Sequence, residues 1–180
     1  DMTSHRITFP NAAGVPLAGR LDLPDAATPS AFALFAHCFT CSKDLRAVRR
    51  IASALTDRDI AVLRFDFTGL GQSGGAFADT TFSTNTDDIV AAAAWLEEHH
   101  GPAQLLIGHS LGGAAVLRAA PRIAASRAVV TIGAPAEPEH VARLLTDARD
   151  TIEESVEAEV QLALGAVNAP WLVSRKSPPQ

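Results

Sequence analysis

No apolar run in this chain approaches the ~18 residues that cross a bilayer. Its start, Asp1-Met2-Thr3-Ser4-His5-Arg6, lacks the apolar stretch of a secretion signal. The expectation is a cytoplasmic protein with no membrane partner. Basic charge is also in short supply. The 15 Lys and Arg against 20 Asp and Glu leave a net charge of -5, which speaks against nucleic acid as a main partner. The densest basic group, Arg46, Arg49 and Arg50, falls on one expected helix whose other face is apolar, the pattern of a solvated face. Cysteine is scarce too, with only Cys38 and Cys41. Two ligands cannot close a zinc site, and His37 would add only a third in a neighbouring position that one ion could hardly share. No metal and no organic cofactor is expected. A strand before and a helix after this C-x-x-C are also the surroundings of a thioredoxin-like thiol pair. A thiol oxidoreductase is therefore the rival to the favoured reading, a reduced pair in a loop.

What the chain does have is apolar content, 47% over 180 residues with 19% charged. That suits one globular domain over residues 1–180 with a real core. Arg6-Ile7-Thr8-Phe9 and Leu17 to Leu23 flank the turn Asn11 to Pro16 and read as an antiparallel pair at a sheet edge. Ala31 to Ala36 and Ile60 to Phe65 are nearly unbroken apolar runs, as strands covered on both faces require. Between them Leu45, Val48, Ile51, Ala52 and Leu55 recur at helical spacing, with Ser42 as the expected cap. A second helix, Asp87 to His99, is expected behind Ser83 or Thr84 and ends at Gly101-Pro102. Strand Gln104 to Ile107, helix Ala114 to Ala120 and strand Ala128 to Ile132 follow. Strands alternating with helices predict an α/β fold, a mostly parallel doubly wound sheet with helices on both faces. Its ligand site lies beyond the carboxyl ends of the strands.

Three loops converge there: His37 to Asp44, Asp66 to Gly75 and the turn at Ser110. The second holds Gly69-Leu70-Gly71-Gln72-Ser73-Gly74, a formal match to the dinucleotide fingerprint. No helix opens at its third glycine to meet a pyrophosphate, and Asp87 and Asp88, at ribose-binding distance, start a helix where a strand end is required. The third loop, Gly108-His109-Ser110-Leu111-Gly112-Gly113, is a G-x-S-x-G between an apolar run and a small-residue helix. A strand turning sharply into a helix strains its corner residue, and glycines two residues either side remove the Cβ atoms that would collide. Ser110 is therefore the expected nucleophile of a hydrolase, against a glycine-rich turn without chemistry.

Four ordered stretches carry a resemblance: Ala36 to Leu45, Arg64 to Ser73, Leu106 to Gly113 and Thr131 to Pro135. Together they resemble an α/β-hydrolase over about residues 5 to 160. The likeness is closest to the hydrolase half of bacterial proteins that join such a domain to an OsmC-like peroxide-reducing domain. The resemblance puts Cys38 in place of a glycine in the usual His-Gly turn, which favours the loop reading of the cysteines. An acyl transfer needs two backbone N–H donors for the oxyanion. The N–H of Leu111, next after the nucleophile, is the first candidate, and by resemblance that of Phe39 is the second.

By the same resemblance the acid and histidine follow the nucleophile after two further strands, and the chain is expected to end before them. His140 is then the one histidine beyond Ser110, a candidate base with Asp147 or Asp150 as orienting acid, against a solvated histidine at a helix start. His109 should point away from the serine, His37 should shape its loop, and His5, His99 and His100 should lie on the surface. Neither Lys43 nor Lys176 suggests a Ser-Lys pair. Residues 145–165, with Ile152, Val156, Val160, Leu162 and Leu164 among acids, suit a cap or edge helix, and 166–180 an irregular tail. A sheet ending at Ala128 to Ile132 leaves an open edge, so a homo-oligomer formed through that edge is expected. The combined expectation is a serine carboxylesterase acting on small esters. Its alternative is a catalytically incomplete hydrolase domain with a binding or scaffolding role.

Overall fold

The computed structural model describes residues 3–25, 28–39, 41–137, 157–164 and 167–174. Strands β1 (Thr3–Pro10) and β2 (Pro16–Leu23) pair antiparallel around a turn in which the Asn11 side-chain oxygen accepts the N–H groups of Ala13 and Val15, both at 2.9 Å. The chain then alternates β3 (Ala31–Ala36), α1 (Arg46–Thr56), β4 (Ile60–Phe65), α2 (Phe82–His99), β5 (Ala103–His109), α3 (Leu111–Ala119) and β6 (Ala128–Ile132). The six strands form one sheet in the order β1-β2-β4-β3-β5-β6. β2 joins β4 antiparallel, and every later pairing is parallel. This is the doubly wound arrangement that alternating periods of two and 3.6 require.

The core explains the unbroken apolar runs. Ala33, Phe35, Val62 and Ile107 meet Val48 and Ala52 of α1 on one face of the sheet. Their neighbours Leu34, Leu63 and Leu106 point to the other face and are equally buried. There α2 and α3 pack on each other and on the central strands, so both faces are dry. Arg46, Arg49 and Arg50 are exposed on α1, as expected of a solvated face. No described helix is long and apolar enough to cross a membrane.

Both early helices start elsewhere than expected. α1 opens at Arg46 behind Leu45 without a side-chain cap. Ser42 lies a turn earlier because Lys43 is drawn to Asp66 by its backbone N–H (2.8 Å) and by its ammonium (2.8 Å), which keeps the residues before Leu45 out of the helix. α2 opens five residues before Asp87, capped by Thr81, whose hydroxyl accepts the N–H of Thr84 (3.2 Å) while the Thr84 hydroxyl accepts that of Thr81 (2.8 Å). Ser83 has no capping role, and Thr84 answers the cap from inside the helix. Thr81→Ala is expected to cost about 1 kcal/mol, and thermal unfolding should register it as a loss of about 2–4 °C.

The contacts divide the chain into two compact units, Asp1–Ala136 and Glu137–Gln180. The second contains β7 (Glu157–Leu164) and β8 (Val167–Ser174), an antiparallel pair with Glu157 opposite Ser174 and Leu164 opposite Val167. This corrects the expected helix over 145–165 where it covers 157–164, and the expected irregular tail over 166–180 where it covers 167–174. Glu157-Ala158-Glu159-Val160-Gln161-Leu162 alternates polar and apolar residues, a period of two that suits a strand. The rest of the expected helix, 145–156, lies outside the described residues.

Candidate active site

At the end of β5 the chain reverses direction within one residue. Ser110 has φ 55° and ψ −124° and is followed at once by α3. A residue with a Cβ in this region is strained, so the surroundings must impose it. They do so through hydrogen bonds on both sides: the Ser110 N–H donates to Ile132 O (2.8 Å), and its carbonyl accepts from Gly113 N (2.8 Å) and Ala114 N (3.3 Å). Close packing leaves no alternative path. A Cβ on Gly108 would sit 2.4 Å from Gly112 O, and one on Gly112 would sit 2.4 Å from His37 O and 2.5 Å from Ala36 O. Those are backbone atoms that cannot swing aside, which is why both glycines of the motif are glycine. Ser110 is half-buried and its side chain caps nothing in α3. The hydroxyl is neither sealed in packing nor spent on the helix.

The same contacts press the elbow against the loop after β3. Ala36 and Gly108 are register partners on adjacent parallel strands, and Gly112 touches the His37 and Ala36 carbonyls. Phe39 in that loop is buried, its ring edge-on to Phe67 (5.0 Å) and Phe77 (5.9 Å). Among the described residues neither the Phe39 N–H nor the Leu111 N–H has a hydrogen-bond acceptor. Two free donors on two loops packed together is the arrangement an oxyanion hole needs.

The cysteines of that loop are bridged. Cys38 and Cys41 form a disulfide with Cα atoms 5.2 Å apart, and no cysteine among the described residues is free. This corrects the expected reduced pair. The Cys41 N–H donates to Cys38 O (3.0 Å), a turn that brings the two Cβ atoms within bridging distance. The nearest third ligand is His109, not His37: one ring nitrogen and the two sulfurs lie within 4.8 Å of one another. Burial, then the neighbouring His37, lowers the His109 pKa below its ordinary value.

Beneath the loops lies a buried ionic cluster. The carboxylate of Asp66, at the end of β4, accepts the N–H of Lys43 (2.8 Å), the Lys43 ammonium (2.8 Å) and the N–H of Gln72 (3.0 Å). His37 Nε2 stands 3.3 Å away without hydrogen-bond geometry. Its Nδ1 lies 2.5 Å from Cys38 O. Arg64 meets Asp22 through Nε (2.5 Å) and Nη2 (3.2 Å) and also donates to Lys43 O. Burial alone would raise the Asp66 pKa, but His37, Lys43 and Gln72 outweigh it and hold the carboxyl well below the usual carboxylate range. The stability this confers is present above the unfolded-state pKa of about 3.9. It drains away as pH falls from about 5 through the depressed folded value. Urea midpoints should therefore hold at neutral pH and drop on acidification below about pH 5; a flat profile down to about pH 3 would contradict the assignment.

The cluster also explains the glycine-rich loop. Gly71, at φ 54°, leaves no room for a Cβ, which would stand 2.2 Å from Asp66 Oδ2. The loop wraps a carboxylate of the protein where the fingerprint would wrap a phosphate. Asp88 accepts from Thr68 N (2.8 Å), Thr68 Oγ1 (3.0 Å) and Asn11 Nδ2 (3.0 Å), and Asp87 pairs with Arg122 (2.6 Å). Both acids are engaged within the protein.

A general base for Ser110 does not emerge among the described residues. His37 is fully buried, with Nδ1 at Cys38 O and Nε2 near the Asp66 carboxylate. His109 sits at the disulfide, and His5, His99 and His100 are exposed. His140, Asp147 and Asp150 lie outside the described residues. Sequence reasoning missed Asp22, Lys43, Arg64 and Asp66 as one buried unit. The available signal was Arg64 alone in the apolar run Ile60 to Phe65, since a charge inside a buried strand demands a partner.

Residues 33–179 match the alpha/beta hydrolase family. The esterase domain of a Rhodothermus marinus protein is 45% identical with a TM-score of 0.66, covering 96% of this chain and 65% of that one. Est1E from Butyrivibrio proteoclasticus, with ferulic acid bound, is 25% identical with a TM-score of 0.68, covering 76% and 56%. An alpha-beta serine hydrolase homologue from Coxiella burnetii shares the fold at 19% identity and a TM-score of 0.66, covering 76% and 66%. The chain thus spans less than two-thirds of the length of each. None of the curated proteins matches it. Neither the family match nor these structures bear on the narrower likeness to hydrolases joined to an OsmC-like domain. The elbow, the glycines it requires and the doubly wound sheet agree with the match over residues 33–179: the chain belongs to the alpha/beta hydrolase family.

Proposed function

We propose that the protein is a serine esterase that cleaves small carboxylic esters through an acyl-Ser110 intermediate, in the cytoplasm. The strained, half-buried elbow at Ser110 carries this reading, and the esterase relatives support it. Ser110 Oγ attacks the ester carbonyl and the N–H groups of Leu111 and Phe39 receive the negative oxygen; the bond to the departing oxygen then breaks, and that oxygen takes up the proton the serine gives away and leaves as the alcohol. Water then releases the acid. A pre-steady-state assay with a 4-nitrophenyl ester tests it. Release of about one nitrophenolate per chain before the steady rate is expected of an acyl-enzyme whose breakdown is slow. Hydrolysis that proceeds equally in Ser110→Ala would refute it.

A second reading has one observation in its favour: among the described residues no imidazole hydrogen-bonds the Ser110 hydroxyl. On that reading the domain binds small esters without turning them over. Saturable ligand binding with no burst and no turnover would select it.

We further propose that β6 pairs with the β6 of a second copy. It is an edge strand of the sheet among the described residues, with Val130 45% and Ile132 39% exposed, and an edge strand takes a partner strand readily. Sedimentation should show a dimer that Val130→Lys dissociates; a monomer at every concentration would exclude it.

A further inference from the structure

We propose that, once its disulfide is reduced, the Cys38, Cys41 and His109 trio binds a thiophilic divalent cation, best fitted by Zn2+, at the junction of the Phe39 loop and the Ser110 elbow. The three ligand atoms come from two segments that the fold locks together. Ala36 and Gly108 are paired in register, and Gly112 packs on the carbonyls of Ala36 and His37. Their ligand atoms lie within 4.8 Å of one another, on backbone segments that these contacts hold together. Tetrahedral Zn2+ with bonds of about 2.3 Å to sulfur and 2.0–2.1 Å to nitrogen holds its ligands about 3.5–3.8 Å apart. The histidine must close by an ångström or so and the sulfurs must part, both within the reach of side-chain rotation. Cys-x-x-Cys is a common zinc-ligand spacing, and two thiolates with one imidazole select a soft or borderline ion over Mg2+ or Ca2+.

The histidine is available for this role. Among the described residues the His109 side chain makes no hydrogen bond, whereas His37 is held from both sides. Cys38 is 6% exposed and Cys41 and His109 are half-buried, so an ion could enter from the Cys41 side and be sheltered once bound. Three protein ligands leave a tetrahedral ion one position for water or an added ligand.

Occupancy is tied to redox state. An external dithiol or phosphine supplies two electrons; the S–S bond takes them up with two protons and yields two thiols. Zn2+ then displaces those two protons to form two metal–thiolate bonds. The bound ion would pin the loop bearing Phe39 to the residue before Ser110, replacing the covalent bridge with a coordinate one. This proposal does not depend on the esterase reading.

Cobalt(II) tests it. The protein is reduced with a phosphine, freed of reductant without air, shown by thiol titration to carry two free thiols, and titrated with Co2+ alone. The reduced wild type should bind one Co2+ per chain, with thiolate-to-cobalt charge transfer in the near ultraviolet and the strong visible bands of a tetrahedral ion. Zn2+ should abolish both. Ser110→Ala should behave like wild type, which separates this outcome from the fate of the esterase proposal. Cys41→Ser and His109→Ala should each weaken binding by at least ~10-fold, and the oxidised protein should give no such bands. A reduced wild type without thiolate–cobalt absorption, or bands unchanged in both Cys41→Ser and His109→Ala, would overturn the proposal.

Discussion

Replacing Ser110 with alanine should lower kcat/KM for a small aryl ester by about 10^4-fold or more while leaving the unfolding midpoint close to that of the parent. The size follows from what remains afterwards. Without the hydroxyl no acyl-enzyme forms, and the residual rate comes from water attacking an ester held near two amide donors, worth roughly 3–4 kcal/mol per donor lost or kept. Stability should change little because the Ser110 side chain caps nothing and is half-buried. Alanine must still adopt φ 55°, but serine already bears the same backbone strain. A variant that unfolds would show that the hydroxyl is structural; one that retains activity would show that the chemistry lies elsewhere.

The largest loss of stability is expected from Asp66→Ala, about 3–5 kcal/mol. Removing this carboxylate leaves the Lys43 ammonium buried with only Asp44 (3.2 Å) and Gln72 (2.9 Å) as partners. It also strips acceptors from the N–H groups of Lys43 and Gln72. The damage should reach the site, because Lys43 anchors the loop of Cys38 and Phe39 while Gln72 anchors the glycine loop that wraps the carboxylate. Asp66→Asn keeps the shape and one acceptor oxygen but not the charge, so it should fall between wild type and alanine. Chemical denaturation of the three proteins measures the series. Equal midpoints for alanine and wild type would mean that the cluster is solvated and contributes nothing.

Much of the fold and the elbow could be read from residues alone because local constraints fixed them. The runs Ala31 to Ala36 and Ile60 to Phe65 are apolar because both faces of their strands are covered. Gly108 and Gly112 are glycines because a backbone carbonyl occupies the place of each missing Cβ. The buried cluster was illegible because its partners lie far apart in the chain, Lys43 and Asp66 by 23 residues and Asp22 and Arg64 by 42. The same cluster shifted the start of α1, so a tertiary ion pair overrode a local capping signal at Ser42. The state of the cysteines was hidden for a related reason. Spacing alone cannot say whether a C-x-x-C is bridged, and the third ligand, His109, reaches the pair only through strand pairing. The β7–β8 hairpin was written in a period-two alternation, but the acids beside it also fit a helical face.

Labelling with a fluorophosphonate probe tests the central claim most directly, because only an activated serine close to oxyanion donors reacts with it. Intact-mass analysis should find a single adduct per chain, peptide mapping should place it on Ser110, and Ser110→Ala should remain unmodified. Absence of any adduct on the folded wild-type protein, or an adduct mapped to another residue, would contradict the account.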